Sequence, residues 1–181
     1  MKSTILAITA AFLVFSACGK KEQPAAQGGT QAAPLDKAAA NYVKKDTYFK
    51  LPSIKGGEID LASYAGKPVI VMFFTETCPF CRKAAPFIQR IYTTYSPKGL
   101  GVVGVLVQDS AKAGQNFAAD TGVTYPIAYQ GQELSRKYRT QGVPYIYLLN
   151  RKHDIYDVWE GYDHEYDPAI IKGVETVLAE K

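Results

Sequence analysis

The sequence predicts an α/β domain: a central mixed β-sheet with helices on both faces. Three observations lead there. The apolar run Val69 to Phe74 feeds a helical stretch ending near Tyr95, and a second valine-rich run follows at Gly101 to Val107, so strand, helix and strand come early. Later, Tyr145 to Leu149 and Ile155 to Glu160 flank a turn at Asn150 to Asp154 and precede a last helix. Between the first run and its helix stands Cys78-Pro79-Phe80-Cys81.

Taken from the start, Met1-Lys2 and the apolar stretch Ile5 to Phe15 read as a signal peptide over residues 1–17. The start is basic, the core is too short to span a bilayer, and Ser16-Ala17 are the small residues expected before a cut. From Cys18 to Pro34 the chain is rich in Ala, Gln, Gly and Pro and has too few large apolar residues to fold. Residues 18–45 are therefore read as a flexible tether with an r.m.s. reach of about 30 Å. Leu35 to Lys45 can form a short helix within it, with Asp36 near its start. Residues 46–181 are one domain's worth of chain.

Within that domain, Tyr48 to Leu51 and Ile59 to Leu61 are expected strands around the turn Lys55-Gly56-Gly57. After the two core strands comes a helix over Ala111 to Thr121 that Gly122 ends. Tyr125 to Tyr129 is a weaker strand, Gln132 to Arg139 a short helix, and Pro168 opens a final helix over Ala169 to Glu180. Its apolar positions Ile170, Ile171, Val174, Val177 and Leu178 share one face.

Net charge is +4, one unit less once Lys2 leaves with the signal peptide. So mild and scattered a charge argues against nucleic acid as a partner. The chain has no repeat, no Gly-rich phosphate loop and no run of like charge.

The chemistry lies at the cysteines. A strand delivers Cys78 to a helix N-terminus, where unpaired N–H groups and the helix dipole stabilise a thiolate. Cys81 follows one turn inward, within reach of a disulfide, and Pro79 suits a first turn because its missing N–H would have gone unpaired. A thiolate backed by a resolving thiol performs thiol–disulfide exchange. The alternative, half of a zinc site, has no second cysteine pair to complete it, and His153 and His164 are not at ligand spacing, so no metal is expected. The cofactor expected is none beyond the redox-active pair Cys78–Cys81.

Phe49-Lys50-Leu51-Pro52 with Gly57, Leu61 and Gly66-Lys67-Pro68-Val69, then Phe73-Phe74-x-x-x-Cys78-x-x-Cys81-Arg82 with Pro86, and finally Gly142-Val143-Pro144 and Gly161 fall in one order. The segment from Phe49 onward thereby resembles a thioredoxin-fold domain of the TlpA/ResA type, the membrane-tethered thiol–disulfide oxidoreductases of bacterial envelopes. The resemblance covers about three quarters of the chain. It implies a kink at Pro86, a cis-proline at Pro144 facing the disulfide, and Val143 backbone groups that pair with an extended substrate. Phe15-Ser16-Ala17-Cys18 resembles a bacterial lipobox, which implies cleavage before Cys18 and a lipid on its sulfur; ordinary secretion is the other reading.

Three positions depart from that family's pattern. Thr77 precedes Cys78 where such domains usually place Trp, Met72 occupies the strand position of a buried acid or Asn, and Val143 stands where relatives have Ile or Thr. Met72 cannot relay a proton to Cys81, so deprotonation of the resolving thiol uses water or another group; Glu76 is a candidate, although a Glu at that place is also a plain surface residue in thioredoxin.

The implied function is reduction of disulfides in envelope proteins, apocytochrome c among them, with Cys78 as nucleophile and Cys81 as resolving thiol. Electrons would come from a membrane thiol transporter. The expected location is the periplasmic side of the envelope, anchored to a membrane through Cys18, with no nucleic acid among the partners. Pro79-Phe80 offers no charge beside Cys78, which leans towards a reductant. Two rivals remain. Thr75-Glu76-Thr77-Cys78 fits the Thr-x-x-Cys motif of a peroxiredoxin, although Val71 stands where that family has Pro. A tethered binding module with a structural disulfide is the other. Elsewhere, Tyr125-Pro126 and Tyr145 are expected near the groove around the disulfide, His153 and His164 at the surface, and Trp159 in the core.

Overall fold

A computed structural model describes residues 39–180. The signal peptide expected over residues 1–17, the lipidation expected at Cys18 and most of the tether lie outside those residues. Helix α1 (Ala39–Tyr42) leads to an antiparallel pair, β1 (Lys50–Pro52) and β2 (Glu58–Asp60). The Asp60 carboxylate then accepts from the Ala62 N–H at 2.8 Å and starts a 3-10 turn over Leu61–Tyr64. The second expected strand therefore ends one residue early, and Leu61 is buried from a helical turn.

The main sheet has five strands: β3 (Val69–Phe74), β4 (Gly101–Leu106), β5 (Ile127–Ala128), β6 (Tyr145–Leu149) and β7 (Ile155–Glu160). Their order is β5-β4-β3-β6-β7, with β3, β4 and β5 parallel and β6 antiparallel to both β3 and β7. Four helices complete the layers: α2 (Pro79–Tyr95), α3 (Ala111–Thr121), α4 (Gln132–Lys137) and α5 (Asp167–Ala179). This is the predicted mixed sheet with helices on both faces. Strand β5 keeps only two residues of the run expected from Tyr125 to Tyr129. Pro126 has no N–H to donate and enters the sheet only as an acceptor, its carbonyl taking the Gly104 N–H at 2.9 Å.

Period-two alternation divides the core. Ile70, Met72 and Phe74 of β3 share one buried cluster with Ala84 and Ile88 of α2, Phe117 of α3 and Ile170 and Val174 of α5. Val69, Val71 and Phe73 join Phe49, Ile59, Leu134 and Tyr138 on the opposite face. All six β3 side chains are fully buried, and each contributes roughly 1.5–3 kcal/mol. The strand that carries Cys78 at its end is thus clamped on both sides, which fixes where the sulfur emerges.

Two sequence expectations change here. The tether does not run as far as Lys45. The Tyr42 hydroxyl donates to the Arg151 carbonyl and accepts from the Gly66 N–H, both at 2.9 Å, and Lys45 pairs with Asp154 at 2.6 Å. Residues 42–45 therefore belong to the domain. His153, expected at the surface, is 1% exposed, with Nε2 3.1 Å from the Tyr64 carbonyl and 3.2 Å from that of Lys67, and the Tyr42 ring lies edge-on to it. Trp159 is buried as expected. Among the described residues no helix is long and apolar enough to cross a membrane.

Candidate active site

Cys78 is the N-cap of α2. Its backbone is extended (φ −67°, ψ 115°), its Sγ accepts the Cys81 N–H at 3.2 Å, and its carbonyl accepts the Arg82 N–H at 3.1 Å. Pro79 opens the helix, as expected of a first-turn proline, and is exposed. Pro86 lies inside the same helix, where it leaves the Arg82 carbonyl without its usual intrahelical donor.

The two sulfurs sit in different surroundings. Cys78 is half-buried and Cys81 fully so, and both are free thiols. Burial pushes the Cys81 thiol well above the ordinary thiol range, and its hydrogen bond with Cys78 pushes the same way; a backbone contact with Thr75 works weakly against them. Burial therefore separates the two, with the outer sulfur partly open to solvent and the inner one held protonated behind it.

Facing them is the Gly142-Val143-Pro144 loop, with the Val143–Pro144 bond cis. The Cys78 thiol donates to the Val143 carbonyl at 3.5 Å. Pro144 is buried, and its carbonyl takes the Gly161 N–H at 2.8 Å, so the loop is tied to the chain just after β7. Beside the sulfur lies a groove of about 230 Å³ lined by Phe80, Val143, Pro144, Tyr162, Asp163 and Tyr166. Phe80 is 59% exposed on its rim. Tyr162 is held by donating to the Asp167 carboxylate at 2.8 Å, and Asp163 pairs with Lys83 at 2.9 Å. A larger hollow of about 440 Å³, between Asn150, Arg151 and Glu180, shares no lining residue with this groove.

Glu76 sits in the loop between β3 and α2. Its N–H donates to the Gln108 side chain and its carboxylate accepts from Asn116 Nδ2, both at 2.8 Å, while its carbonyl accepts from Arg82 Nε at 3.0 Å. Tyr125 and Tyr145, expected near the groove, are both buried. Tyr145 stacks on Tyr147 (5.3 Å between ring centroids) in the cluster on the α4 side of the sheet. The aromatic walls of the groove are instead Tyr162 and Tyr166, which the sequence reading missed; the one signal was that Tyr162 directly follows Gly161. Cys18 lies outside the described residues.

Residues 44–158 match the model of the AhpC/TSA family, well over half of the chain. The chain belongs to the AhpC/TSA family. Within it, the chain is 26% identical over 114 residues to the thiol-disulfide oxidoreductase ResA of Geobacillus kaustophilus, covering 62% of this chain and 66% of that one. ResA of Bacillus subtilis is 27% identical over 124 residues, 68% of this chain and 65% of that one. The chain thus spans about two thirds of the length of these curated relatives.

Among solved structures, a thiol:disulfide interchange protein of the thioredoxin family from Chlorobium tepidum superposes with a TM-score of 0.65 at 25% identity, over 73% of this chain and 94% of that one. StoA from Bacillus subtilis superposes with a TM-score of 0.58 at 24% identity, over 70% and 95%, and shows the fold. This AhpC/TSA member has the thioredoxin-like fold, and its relatives are named thiol-disulfide oxidoreductases.

Proposed function

We propose that this protein is a thiol–disulfide oxidoreductase that reduces disulfides by a two-cysteine cycle. The observation that carries the reading is the pairing of a half-exposed Cys78, capping α2 beside the cis-Pro144 loop, with a fully buried Cys81 one turn behind it.

In the cycle, the Cys78 thiolate attacks one sulfur of a substrate disulfide. A Cys78–substrate bond forms, the substrate disulfide breaks, and the second substrate sulfur leaves as a thiolate that takes a proton from water. Cys81, deprotonated, then attacks Cys78 Sγ; the Cys78–Cys81 disulfide forms and the first substrate sulfur departs and is protonated in turn. Two electrons pass from the dithiol to the substrate. An extended substrate segment lies in the groove, its backbone against Val143, with Phe80 and Tyr166 flanking its side chains. The protein needs no cofactor beyond the cysteine pair.

The substrates in this reading are envelope proteins, with apocytochrome c as a specific candidate. A membrane thiol transporter returns the electrons, since an oxidising compartment would otherwise leave the disulfide form. A lipid on Cys18 holds the domain at the periplasmic face of a membrane. Glu76 is the ionisable group nearest in sequence to Cys78, but its carboxylate is already committed to Asn116, which favours a role in fixing the active-site loop over a role in proton transfer.

The test is trapping. A Cys81→Ser variant expressed in its native host should accumulate adducts through Cys78 that reductant releases, identifiable by mass spectrometry. Apocytochromes c among the adducts support the finer reading. An absence of adducts, or rapid Cys78-dependent consumption of hydrogen peroxide by the wild type, would overturn the assignment in favour of a structural disulfide or a peroxidase.

A further inference from the structure

The segment by which the chain enters the domain is seated on one buried imidazole. The Tyr42 ring lies edge-on to the His153 ring, 4.5 Å between centroids, and the Tyr42 hydroxyl bridges the Arg151 carbonyl and the Gly66 N–H. Thr47 donates through its hydroxyl to the His153 carbonyl, and Lys45 pairs with Asp154. The entry segment thus closes over the turn between β6 and β7, with His153 at its centre. Tyr42 packs against neither core cluster, and α1 is a single turn that cannot persist alone.

Two independent features make that seat conditional. His153 has a left-handed backbone (φ 58°), which a non-glycine residue keeps only where its surroundings impose it. Here the Asn150 side chain accepts the Lys152 and Asp154 N–H groups at 2.9 and 3.0 Å, and the Asn150 carbonyl takes the His153 N–H at 2.9 Å, so the turn drives the ring inward. Inside, Nε2 faces the carbonyls of Tyr64 and Lys67 and therefore carries the ring proton. Nδ1 is buried with no partner, so a second proton would find no acceptor. The charged neighbours do not supply one. Asp154 is tied to Lys45, whose own charge opposes a cation, and the Arg151 guanidinium is spread over the carbonyls of Gly66, Leu178 and Glu180. Burial outweighs the two carbonyls and keeps the imidazole neutral below its ordinary 6.5.

We propose that His153 is an acid-sensitive latch: neutral, it holds residues 39–47 on the domain, and protonated, it leaves its pocket and releases them. The released state binds the proton at the ordinary histidine value and the latched state does not, so the latch is closed above about pH 6.5 and opens as pH falls below it. Opening is local, because a chain end detaches at far lower cost than the core strands. Residues 39–47, extended at about 3.4 Å each, lengthen the connection between Cys18 and the domain by about 30 Å. That change of reach rests on the lipid-anchored reading above; the latch itself does not.

Hydrogen exchange followed by mass spectrometry tests it, on the chain with Cys18→Ala and with rates corrected for the intrinsic effect of pH. The amides of Lys45, Tyr48 and Gly66, which donate to Tyr42 or Lys45, report the segment; those of Val69–Phe74 report the core. Below about pH 6.5 the segment should lose protection by up to about tenfold per pH unit, the limit for one proton, while β3 keeps its own. The acid dependence should vanish in His153→Gln, which keeps a donor for the two carbonyls, and in His153→Asn, which suits the backbone. Asp154→Asn should loosen the segment near neutral pH and leave the onset near pH 6.5 in place. Protection that does not change with pH would overturn the latch, as would a parallel loss in β3 or an acid dependence that survives both histidine variants. An onset that Asp154→Asn abolishes would assign the switch to the ion pair instead. The readout needs neither lipid nor redox partner, so a chain recovered without lipid sinks only the anchored reading, and a failed latch leaves that reading standing.

Discussion

The thiol of Cys78 meets the carbonyl of Val143 at 3.5 Å, across 65 positions of sequence. The start of α2 and the cis-Pro144 loop converge on one sulfur. Around that point the protein divides its labour: the rim is exposed, the second sulfur is sealed, and the opposite face of the sheet holds the fold.

The rim is the place to test recognition apart from folding. Phe80→Ser should change stability by less than about 0.5 kcal/mol, because the ring is 59% exposed. Its loss should lower kcat/KM for a protein disulfide by about fivefold, the worth of roughly 1 kcal/mol of contact. Turnover of a small aromatic-free disulfide should stay the same. Equal losses on both substrates would show that Phe80 acts on the cysteine and not on the substrate.

The sealed sulfur predicts an alkaline difference between redox states. Burial raises the Cys81 pKa in the folded dithiol above its ordinary value near 9. The folded state then holds a proton that the unfolded state has released, so this contribution is complete below pH 9 and falls as pH rises through the folded value. Urea unfolding of the reduced protein should show stability declining above about pH 9 more steeply than that of the disulfide form, in which Cys81 has no proton. Parallel pH profiles for the two forms would contradict the buried-thiol account.

His153 predicts the opposite slope in acid. Burial holds its pKa below the ordinary value of 6.5, outweighing its two backbone carbonyl partners. With Nε2–H donating to those carbonyls, a proton on Nδ1 would be buried without an acceptor. The unfolded state binds the proton more readily, so stability is full above about pH 6.5 and declines as pH drops below it, by at most about 1.4 kcal/mol per pH unit. His153→Asn suits the left-handed backbone there (φ 58°) and should be less stable at pH 7 but flatter with acid. A variant with the wild-type acid slope would mean that another group titrates.

On the far face, Tyr147 donates to the carbonyl of Tyr138 at 2.6 Å in a buried site just past α4. Tyr147→Phe leaves that carbonyl unpaired and should cost about 1–3 kcal/mol. It should appear as a lower urea midpoint at unchanged m-value. Disulfide reductase activity should be retained, because Tyr147 packs on the side of the sheet away from Cys81. A large loss of activity at full stability would place this cluster in the catalytic path instead.

By itself the sequence determined what neighbouring residues can encode. The run Val69–Phe74 became β3 with the bounds its apolar residues predict, and Pro79 set the start of α2 with Cys78 as its cap. Gly122, at φ 70°, ended α3 where predicted, and β6 and β7 kept their expected limits. These features follow from periodicity, caps and turn residues, which act over a few positions.

Tertiary structure decided everything that depended on distant partners. His153 sits in a polar turn that sequence alone reads as surface, yet packing against Tyr42, Tyr64 and Lys67 buries it. The same contacts bring residues 42–45 into the domain. Tyr125 and Tyr162 look alike in sequence, but one ring fills the space over Gly104 in the core while the other walls the groove beside the cis-Pro144 loop. Which way each turned was set by the volume left between sheet and helix, and that volume exists only once the chain has closed on itself.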